Sequence, residues 1–489
     1  MKKSAVLGMA GVALLVAGCL SVGPDYEQPE LRDHAYPLPD AGATKEKGDG
    51  QAKARETISA EEVGAWWTVF KDPQLDDLIR RSCTNNLSLR AGVARVRKAR
   101  AQLAAARGKW EPTLDASGGI TRFRTSENGQ SGRRITRNLF SGGFDASWEL
   151  DIFGGVRRSV EAAEADLESA VAGWEQIWVT QAAEVANNYA ALRTVQQRLE
   201  VARNNLKIQD ETLQILNSRL ESGIGDDLAV QQTRYNVETT RATIPALLAQ
   251  EEAHLNALAV LVGAEPGSLH GEIKPAKQLT MDPRSLEAIS AECLRRRPDL
   301  RQAERALAAQ CARIGVATAD LYPHFRLNGS LGLESLKASD FFKSPSLYWS
   351  VGPSVSWSIF NGASVRANIE TQKALFEEAC ANYDAALLTA AMDIRNALSA
   401  YSQEYHRNQA LAKAVEAAQA AVNISQDLYK SGLRDFNNVL DAQRSLLTLQ
   451  ESFTLSQGNI ATELISLYKA LGGGWSCLEE KERGTESDK

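Results

Sequence analysis

Histidine and cysteine are scarce in this chain of 489 residues, which has 5 histidines and 6 cysteines. No two histidines stand four residues apart, and the HExxH, GxSxG, Walker and dinucleotide-binding patterns are all missing from the sequence. The run Gly472 to Gly474 follows a helix-forming segment instead of opening one, which indicates a helix stop and not a phosphate-binding loop. These absences argue against an enzyme and give no reason to expect a cofactor or a metal.

An excess of positive charge is also lacking. The chain has 55 basic and 61 acidic residues and a formal net charge of −6, so there is no electrostatic case for a nucleic-acid partner. The apolar run at the N-terminus, Val6 to Val16, is too short to cross a bilayer as a helix.

This short apolar run belongs to a targeting signal. Lys2 and Lys3 precede it, and it ends in a Val-Ala-Gly-Cys sequence that resembles a lipidation site. The pattern predicts a signal peptide over 1–18 and a mature N-terminus at Cys19 carrying an S-linked diacylglycerol and an N-linked acyl chain, a firm membrane anchor. The alternative is an ordinary signal peptide followed by a chance cysteine.

The remaining cysteines are scattered, with no CxxC spacing and no histidine at ligand distance: Cys83, Cys293, Cys311, Cys380 and Cys477. Small buried apolar side chains are the simplest interpretation of them. Their number is odd, so at least one is unpaired, and whether two of the others form a disulfide stays open.

The sequence contains one unit written twice. An offset of 211 residues, changing later to 209, matches these pairs: Pro112 and Pro323, Gly118 and Gly329, Gly223 and Gly432, Gly263 and Gly472. Similarity between alanine-rich helices does not explain matched glycines and prolines, so the pattern indicates an internal duplication. Each half has the order helix, two strands, two long helices.

The strands show strict alternation of apolar and polar residues. In the segment 325–334, Phe325, Leu327, Leu331 and Leu333 share one face, with polar residues or glycine on the other. The segments 347–359 and 144–151 alternate in the same way, while the segment before 124 does so less clearly. About ten alternating residues with aromatics near the ends are typical of a membrane β-strand. A half-buried hairpin of a soluble protein is the alternative for any single strand.

The helices are long and rich in alanine, and each pair turns at a Ser-Gly step, at Gly223 and at Gly432. Apolar residues recur every three or four positions, as in coiled coils. The expected bounds in the first half, 58–270, are strands at about 112–124 and 139–151 and long helices at about 156–220 and 227–262. In the second half, 271–475, they are strands at about 323–334 and 347–360 and long helices at about 365–430 and 435–471. A lipidated tether, 19–57, precedes the halves, and a flexible tail, 476–489, follows them.

Four strands cannot close a barrel, and an open sheet in lipid would leave its edges unpaired. Two chains would give eight strands, whose interior side chains fill, whereas three would give twelve strands and room for a channel. The expected fold is therefore mainly α with a transmembrane β-barrel shared by three chains, and the polar strand faces line a route for solutes.

These residues resemble a family, the outer membrane factors of the TolC-like type, and most closely its lipidated members that serve resistance–nodulation–division (RND) pumps. The motifs are Gly23-Pro24-Asp25-Tyr26, Trp66-Trp67, Trp148 to Gly154, Arg297-Pro298-Asp299-Leu300, Val439 to Gln443 and Tyr468 to Trp475. The resemblance implies a homotrimer in the cell outer membrane, with a 12-stranded barrel continuous with a 12-helix periplasmic α-barrel. It also implies a passive exit duct for drugs, metals or other small molecules, partnered by a periplasmic adaptor and an RND-type pump.

In this family, contacts between helices and a ring of acidic residues close the periplasmic tip. The resemblance assigns Tyr429 and Arg434 to the tethering contacts, and Asp441 to an acidic ring. Asn438 stands where some members have a second acidic residue, so whether one or two rings exist stays open. Ala229 stands where some members carry the aspartate that pairs with the arginine, and Asp226 or Asp227 is the expected substitute.

Two other functions stay open at this point. One is the outlet of a type I protein-secretion system, against which the lipidation site and the Gly-Gly-Gly-Trp end argue. The other, of a different class, is a lipid-anchored coiled-coil adaptor or structural protein, which the two helical hairpins and four alternating strands disfavour.

Overall fold

The computed structural model describes residues 21–29, 64–128, 132–279 and 296–474. The predicted lipidation site Cys19, the signal peptide and the C-terminal tail lie outside the described residues, as do Cys293 and Cys477. No disulfide joins the described cysteines, Cys83, Cys311 and Cys380.

Seven α-helices and four strands make up the described residues. In the first half they are α1 (Pro73–Asn85), α2 (Leu87–Arg107), β1 (Thr113–Arg124), β2 (Thr136–Leu150), α3 (Gly155–Glu221) and α4 (Asp227–Leu261). In the second half they are α5 (Pro298–Ala319), β3 (His324–Ser335), β4 (Leu347–Ser356), α6 (Ser364–Lys430) and α7 (Phe436–Ala470). The order helix, two strands, two long helices is thus present twice, and α3 and α6 have the same length of 67 residues.

Two elements differ from the expectation. Helix α1 was not assigned from periodicity, although Asp72 caps its first turn by accepting from the Gln74 amide at 2.9 Å, and Pro73 stands at its first position. Strand β4 ends at Ser356 instead of about residue 360. Directly after that end, the Trp357 indole N–H donates to the Leu321 carbonyl at 3.0 Å.

The chain forms two compact units, and neither follows the repeat boundary. The sheet unit comprises Met1–Glu30, Arg95–Val171 and Gln302–Asp384, and so draws on both halves of the sequence. Its four strands form one antiparallel sheet in the order β1-β2-β3-β4. No helix of the described residues is long and apolar enough to cross a membrane.

The helical unit comprises Leu31–Ala94, Ala172–Arg301 and Ala385–Lys489. In its core, Trp66 is fully buried and stacks on Tyr468, which is distant in sequence, with ring centroids 5.6 Å apart. Trp178 of α3 is also fully buried, and its indole N–H donates to the Gly474 carbonyl. Alanines of α3 and α6 also belong to this core.

The Arg297-Pro298-Asp299-Leu300 motif closes the end of α7. The Arg297 guanidinium is buried, donates to the Ala470 carbonyl at 2.7 Å, and forms ion pairs with Asp299 at 2.7 Å and Asp393 at 3.2 Å. Burial alone would lower the pKa of Arg297, but the bonds to the two carboxylates outweigh burial and hold the pKa above its ordinary value. The cation therefore holds together α5, α6 and the last carbonyls of α7.

Four glycines end helices at positions matched between the halves: Gly223, Gly432, Gly263 and Gly472. Each has a φ between 71° and 75°, which side chains disfavour. The residue after each glycine donates its amide to a carbonyl five residues back, as Leu433 does to Leu428 at 2.9 Å. This is the Schellman arrangement, which satisfies carbonyls left free at a helix end.

We predict that Arg297→Met lowers the free energy of unfolding by about 2–3 kcal/mol, because charged hydrogen bonds are lost and Asp299 and Asp393 lose their partner. Arg301→Met in the same helix is the control, since Arg301 forms only a half-exposed ion pair with Glu175, worth about 0–1 kcal/mol. Thermal melting of both variants in detergent, followed by far-ultraviolet circular dichroism, measures the difference. Equal melting temperatures of the two variants would contradict the stabilising role of Arg297.

Candidate channel wall and periplasmic gate

The register of the sheet separates its residues into two faces. Phe144 of β2 lies opposite Leu331 of β3, and Leu331 lies opposite Trp349 of β4. One side of the sheet, the apolar face, therefore carries Leu114, Ile120, Phe140, Phe144, Trp148, Leu150, Phe325, Leu327, Leu331, Leu333, Trp349, Val351 and Val355. Ile120, Trp349 and Val351 are 67–74% exposed within the chain, so this face lacks a cover of its own.

The opposite side, the polar face, is joined by side-chain hydrogen bonds across the strands. Ser147 donates to Asn328 at 3.0 Å, and Asn328 donates to Ser354 at 2.8 Å. Ser330 and Ser350 bond to each other at 2.7 Å. Hydroxyl and amide groups in cross-strand pairs can bond to each other and to water, so this face suits an aqueous interior.

Aromatic side chains surround the end of the sheet at which the helices begin. The Trp148 indole donates to the Trp110 carbonyl at 2.9 Å, and both rings stay partly exposed. Phe153 and Tyr322 stack with centroids 4.6 Å apart. Indoles with a satisfied N–H and an exposed ring are typical of the boundary between hydrocarbon and water.

A charged cavity of about 430 Å³ lies at this end of the polar face. Its lining includes Lys109, Glu111, Glu149, Asp151, His324 and Arg326. Glu149 accepts from the His324 Nδ1 at 2.9 Å and from the Arg326 guanidinium at 3.1 Å. No group of three or more histidine, cysteine or acidic side chains in the described ranges is placed to hold a metal ion.

The Gly23-Pro24-Asp25-Tyr26 motif attaches the N-terminal segment to the sheet unit. Arg158 of α3 is buried and donates to the Val22 carbonyl at 3.2 Å and to Asp25 at 2.6 Å. Burial by itself lowers the pKa of Arg158, but its bonds to Asp25 and Glu161 outweigh burial and raise it. The Arg158 cation, which stays charged, therefore holds the N-terminal segment against α3.

Two further contacts of this segment explain the glycine and the tyrosine of the motif, Gly23 and Tyr26. Gly23 lies so close to Gly315 of α5 that a Cβ on Gly23 would stand 2.4 Å from the Gly315 Cα. The Tyr26 hydroxyl donates to Glu304 at 3.1 Å. Burial and the neighbouring Glu304 carboxylate raise the pKa of Tyr26, so the hydroxyl stays a donor at any ordinary pH.

The candidate gate lies in the helical unit, where the long helices end at the Gly223 and Gly432 turns. Gly223 and Gly432 stand at the turns of the two helical hairpins, as the Schellman bonds described above require. A small apolar cluster fills the space behind the turns: Leu216, Ala229, Val230, Phe436, Val439 and Leu440. Tyr429 packs against this cluster, its ring 5.1 Å from that of Phe436.

The partner of Tyr429 is Arg219, which the sequence did not single out. The Arg219 guanidinium donates to the Tyr429 hydroxyl at 3.0 Å and lies 5.3 Å from the ring centroid. This contact joins the ends of α3 and α6, and so one helical hairpin to the other. A second link, from the Arg444 Nε to the Asn236 side chain at 3.0 Å, joins α7 to α4 and was also missed.

The other predicted gate residues are exposed and stand apart. Arg434 forms no ion pair with any described residue; Asp226 instead caps α4, accepting from the Leu228 amide at 3.0 Å. Asn438 donates to the Asp435 carbonyl at 3.2 Å. The Asp441 carboxylate is 77% exposed and comes no closer than 3.8 Å to Arg444. Within one chain, these three side chains are therefore available for other contacts.

Comparison with known proteins agrees with this architecture. The family model described as "Outer membrane efflux protein" matches the chain twice, over residues 78–264 and 289–473, which confirms the internal duplication. The chain is 30% identical to "Nodulation protein T" of Rhizobium leguminosarum bv. viciae over 96% of this chain and 94% of that protein. It is 28% identical to "Probable outer membrane lipoprotein SilC" of Salmonella typhimurium, covering 94% of this chain and 97% of that protein.

Among solved structures, the outer-membrane channel OprN superposes with a TM-score of 0.85 at 34% identity, covering 93% of this chain and 100% of that one. The mainly helical fold with four antiparallel strands per chain is therefore the TolC-like fold that the sequence predicted. With two family matches that together cover most of its length, this chain belongs to the outer membrane efflux protein family and is an efflux channel of the outer membrane, not an enzyme.

Proposed function

We propose that three copies of this chain close one barrel and form the passive exit duct of a tripartite efflux system. The observation that carries the proposal is the open sheet: among the described residues, β1 pairs only with β2, and β4 only with β3. Unpaired backbone groups at these edges would be prohibitively costly in hydrocarbon. Three chains with four strands each give 3 × 4 = 12 strands, more than the about eight strands whose interior side chains fill.

The dimensions of the sheet support its place in a bilayer. On β2 the apolar face extends from Phe140 to Leu150, which is ten steps, or about 33 Å at about 3.3 Å per residue. A strand tilt of about 40° reduces this length to a height of about 25 Å, that of the apolar band of outer-membrane barrels. The apolar face then meets lipid, and the serine-rich polar face lines water.

The lipid anchor belongs to the same proposal. Val22 donates its amide to the Phe153 carbonyl at 3.2 Å, which places it beside the aromatic residues at the helix end of the sheet. Cys19 precedes Val22 by three residues, a reach of at most about 10 Å. Acyl chains on Cys19 would therefore enter the periplasmic leaflet next to the barrel. The likeness to a probable outer membrane lipoprotein supports this assignment.

The partners we propose are a periplasmic adaptor and an inner-membrane pump of the RND type. A duct with polar walls does not supply energy, so transport needs a pump that delivers substrate and an adaptor that joins the two. The cargo class is small molecules such as drugs, solvents or metal ions, because the relatives include proteins named for antibiotic, solvent and pyoverdine export.

For the gate, we propose that Tyr429 with Arg219 holds the two hairpins together, while Arg434, Asn438 and Asp441 face neighbouring copies. Threefold repetition would bring three Asp441 carboxylates to one narrow mouth. Like charges in a constriction concentrate a field that attracts cations. The exposure of Asp441 in the single chain supports this role.

The first prediction concerns assembly and export. The purified protein should migrate as an SDS-resistant trimer that heating converts to monomer, because the shared barrel has no free edge for detergent to attack. Deleting the gene should raise the sensitivity of the host to a panel of drugs and metal salts, and the wild-type gene should restore resistance. A heat-insensitive monomer with no effect on sensitivity would refute the duct.

The second prediction concerns the acidic ring. Asp441→Asn should weaken block by divalent cations in planar bilayers by about tenfold, equivalent to about 1.4 kcal/mol. Asp427→Asn is a closely matched control: Asp427 is 79% exposed, near the same turns, and lies 3.7 Å from a basic residue three positions on, as Asp441 lies 3.8 Å from its own. If both variants changed block equally, Asp441 would have no special place in the mouth.

The third prediction concerns the contact between the hairpins. Arg219→Gln removes a charged hydrogen bond and a cation–π contact, and should destabilise the closed tip by about 1–2 kcal/mol. The variant should show more frequent openings in planar bilayers without any pump or adaptor. Arg203→Gln, an exposed position on the same helix, is the control. Identical opening frequencies in the two variants would show that the contact between Arg219 and Tyr429 does not hold the tip closed.

A further inference from the structure

The β1–β2 hairpin carries a dense positive charge at the end of the sheet away from the helices. Residues 122–138 contain five arginines and a single acidic residue, Glu127, although the chain as a whole has a net charge of −6. Glu127 pairs with Arg134 at 3.4 Å and so neutralises only one of the five. If the helices lie in the periplasm, this hairpin lies at the outer surface of the membrane.

Two of these arginines lie on the apolar face. Along β1 this face carries Leu114, Ala116, Gly118 and Ile120, and the next two positions on the same face are Arg122 and Arg124. Their partners on β2 are Asn138 and Thr136, which are uncharged. Ile120 lies opposite Phe140, and Phe140 opposite Ser335, the last residue of β3. The two arginines therefore stand just beyond the level at which the apolar band ends.

Neither guanidinium has a side-chain partner among the described residues. Both side chains are exposed, and no described residue forms an ion pair or a side-chain hydrogen bond with either of them. Arginines in other parts of the chain form ion pairs with carboxylates, as Arg107 does with Glu164 at 2.6 Å. Two cations without a described partner, directly beside an apolar face that meets lipid, complement the charge of anionic lipid headgroups.

We propose that Arg122 and Arg124 bind the phosphate groups of an anionic glycolipid in the outer leaflet. This inference rests on the proposed function, because it needs the apolar face to meet lipid. Guanidinium groups bind phosphate oxygens through two parallel hydrogen bonds. Two residues apart on one strand face, the two arginines are spaced about 7 Å apart, so they can contact two phosphates of one headgroup or of two neighbours.

The neighbouring β3–β4 hairpin offers the apolar part of such a site. The Phe341 ring packs over Gly142 on the apolar face, where a Cβ would lie 3.2 Å from it, and Phe342 is 87% exposed. Exposed aromatic rings at the upper rim of an apolar band suit contact with the first methylene groups of acyl chains. The two hairpins together present cations for the headgroup and rings for the chains.

Arg137 provides a matched control in the same hairpin. It lies opposite Phe123 on the polar face, is exposed, and likewise has no ion-pair partner among the described residues. Its charge and its level on the sheet are close to those of Arg122, but it points to the water-filled side. A site for lipid phosphate needs Arg122 and Arg124 and is indifferent to Arg137.

The test is native mass spectrometry of the full-length protein in detergent with bisphosphorylated lipid A, and with the same glycolipid after removal of its phosphates. Each arginine near an anionic surface contributes roughly a fivefold gain in binding, so R122Q/R124Q should bind lipid A about thirtyfold more weakly. R137Q should bind it as the wild type does. The dephosphorylated glycolipid should bind weakly to all three proteins, and inorganic phosphate at equal concentration should not displace lipid A.

The trimer band and the bilayer current of R122Q/R124Q are measured in parallel and should match the wild type. They separate this inference from the proposed function: a wild-type protein without a trimer would refute the duct, whereas a trimeric, conducting R122Q/R124Q that binds lipid A as before would refute only the lipid site. Undiminished lipid A binding by R122Q/R124Q, an equal loss in R137Q, or equal binding of the dephosphorylated glycolipid would overturn the proposal. Displacement by inorganic phosphate would overturn it too, and would indicate a site for the free anion.

Discussion

The outer edges of β1 and β4, which pair with no other strand of the described residues, set the main physical constraint on this structure. A four-stranded antiparallel sheet with one apolar and one polar face is stable neither in water nor in lipid by itself. In water its apolar face is exposed to solvent, and in lipid the backbone groups at its edges have no hydrogen-bond partner. The sheet can be part of a membrane wall only when neighbouring copies complete it. The fold of one chain therefore implies an assembly before any partner is identified.

The parts of the chain that are distant in sequence are held by buried arginines. Arg158 binds the carbonyl of Val22, Arg297 that of Ala470, and Arg193, which is fully buried, that of Lys274 at 2.7 Å. Guanidinium has five donors in a fixed plane, so one side chain can satisfy a carbonyl and carboxylates at the same time. In each case the cation attaches an irregular segment to a long helix, where a regular ladder of backbone bonds is not available.

Much of this architecture could be predicted because the sequence repeats its strongest signals. Alternation in 325–334 and 347–356 determined the two faces of the sheet, and matched glycines such as Gly223 and Gly432 marked where long helices turn. Helix α1 was missed because its 13 residues are short and its signal is the Asp72-Pro73 cap more than a long period. The four-stranded, mainly helical fold was confirmed, whereas the roles of the gate residues remain predictions.

Contacts across the tip could not be read from the sequence. Arg219 and Tyr429 are 210 positions apart, and each alone is an ordinary residue near a helix end. Only the packing of the two hairpins brings the guanidinium to the ring. Asp226 has a use that its charge alone did not indicate: directly before a helix, its carboxylate accepts the Leu228 amide and caps α4. A pairing of Arg434 with Asp226 or Asp227 remains a prediction.

The two helical hairpins have equal lengths but differ in the residues near their turns. With the 209-residue offset, Tyr429, Arg434, Asn438 and Asp441 correspond to Leu220, Gly225, Ala229 and Gln232. The two hairpins have helices of the same lengths and the same glycine turns, but these four positions carry tyrosine, arginine, asparagine and aspartate in the second hairpin and only leucine, glycine, alanine and glutamine in the first. Near its turn the first hairpin carries charge at other positions, such as Arg219 and Asp226. A substitution at one of the four positions in the second hairpin therefore changes a property that the first hairpin does not duplicate.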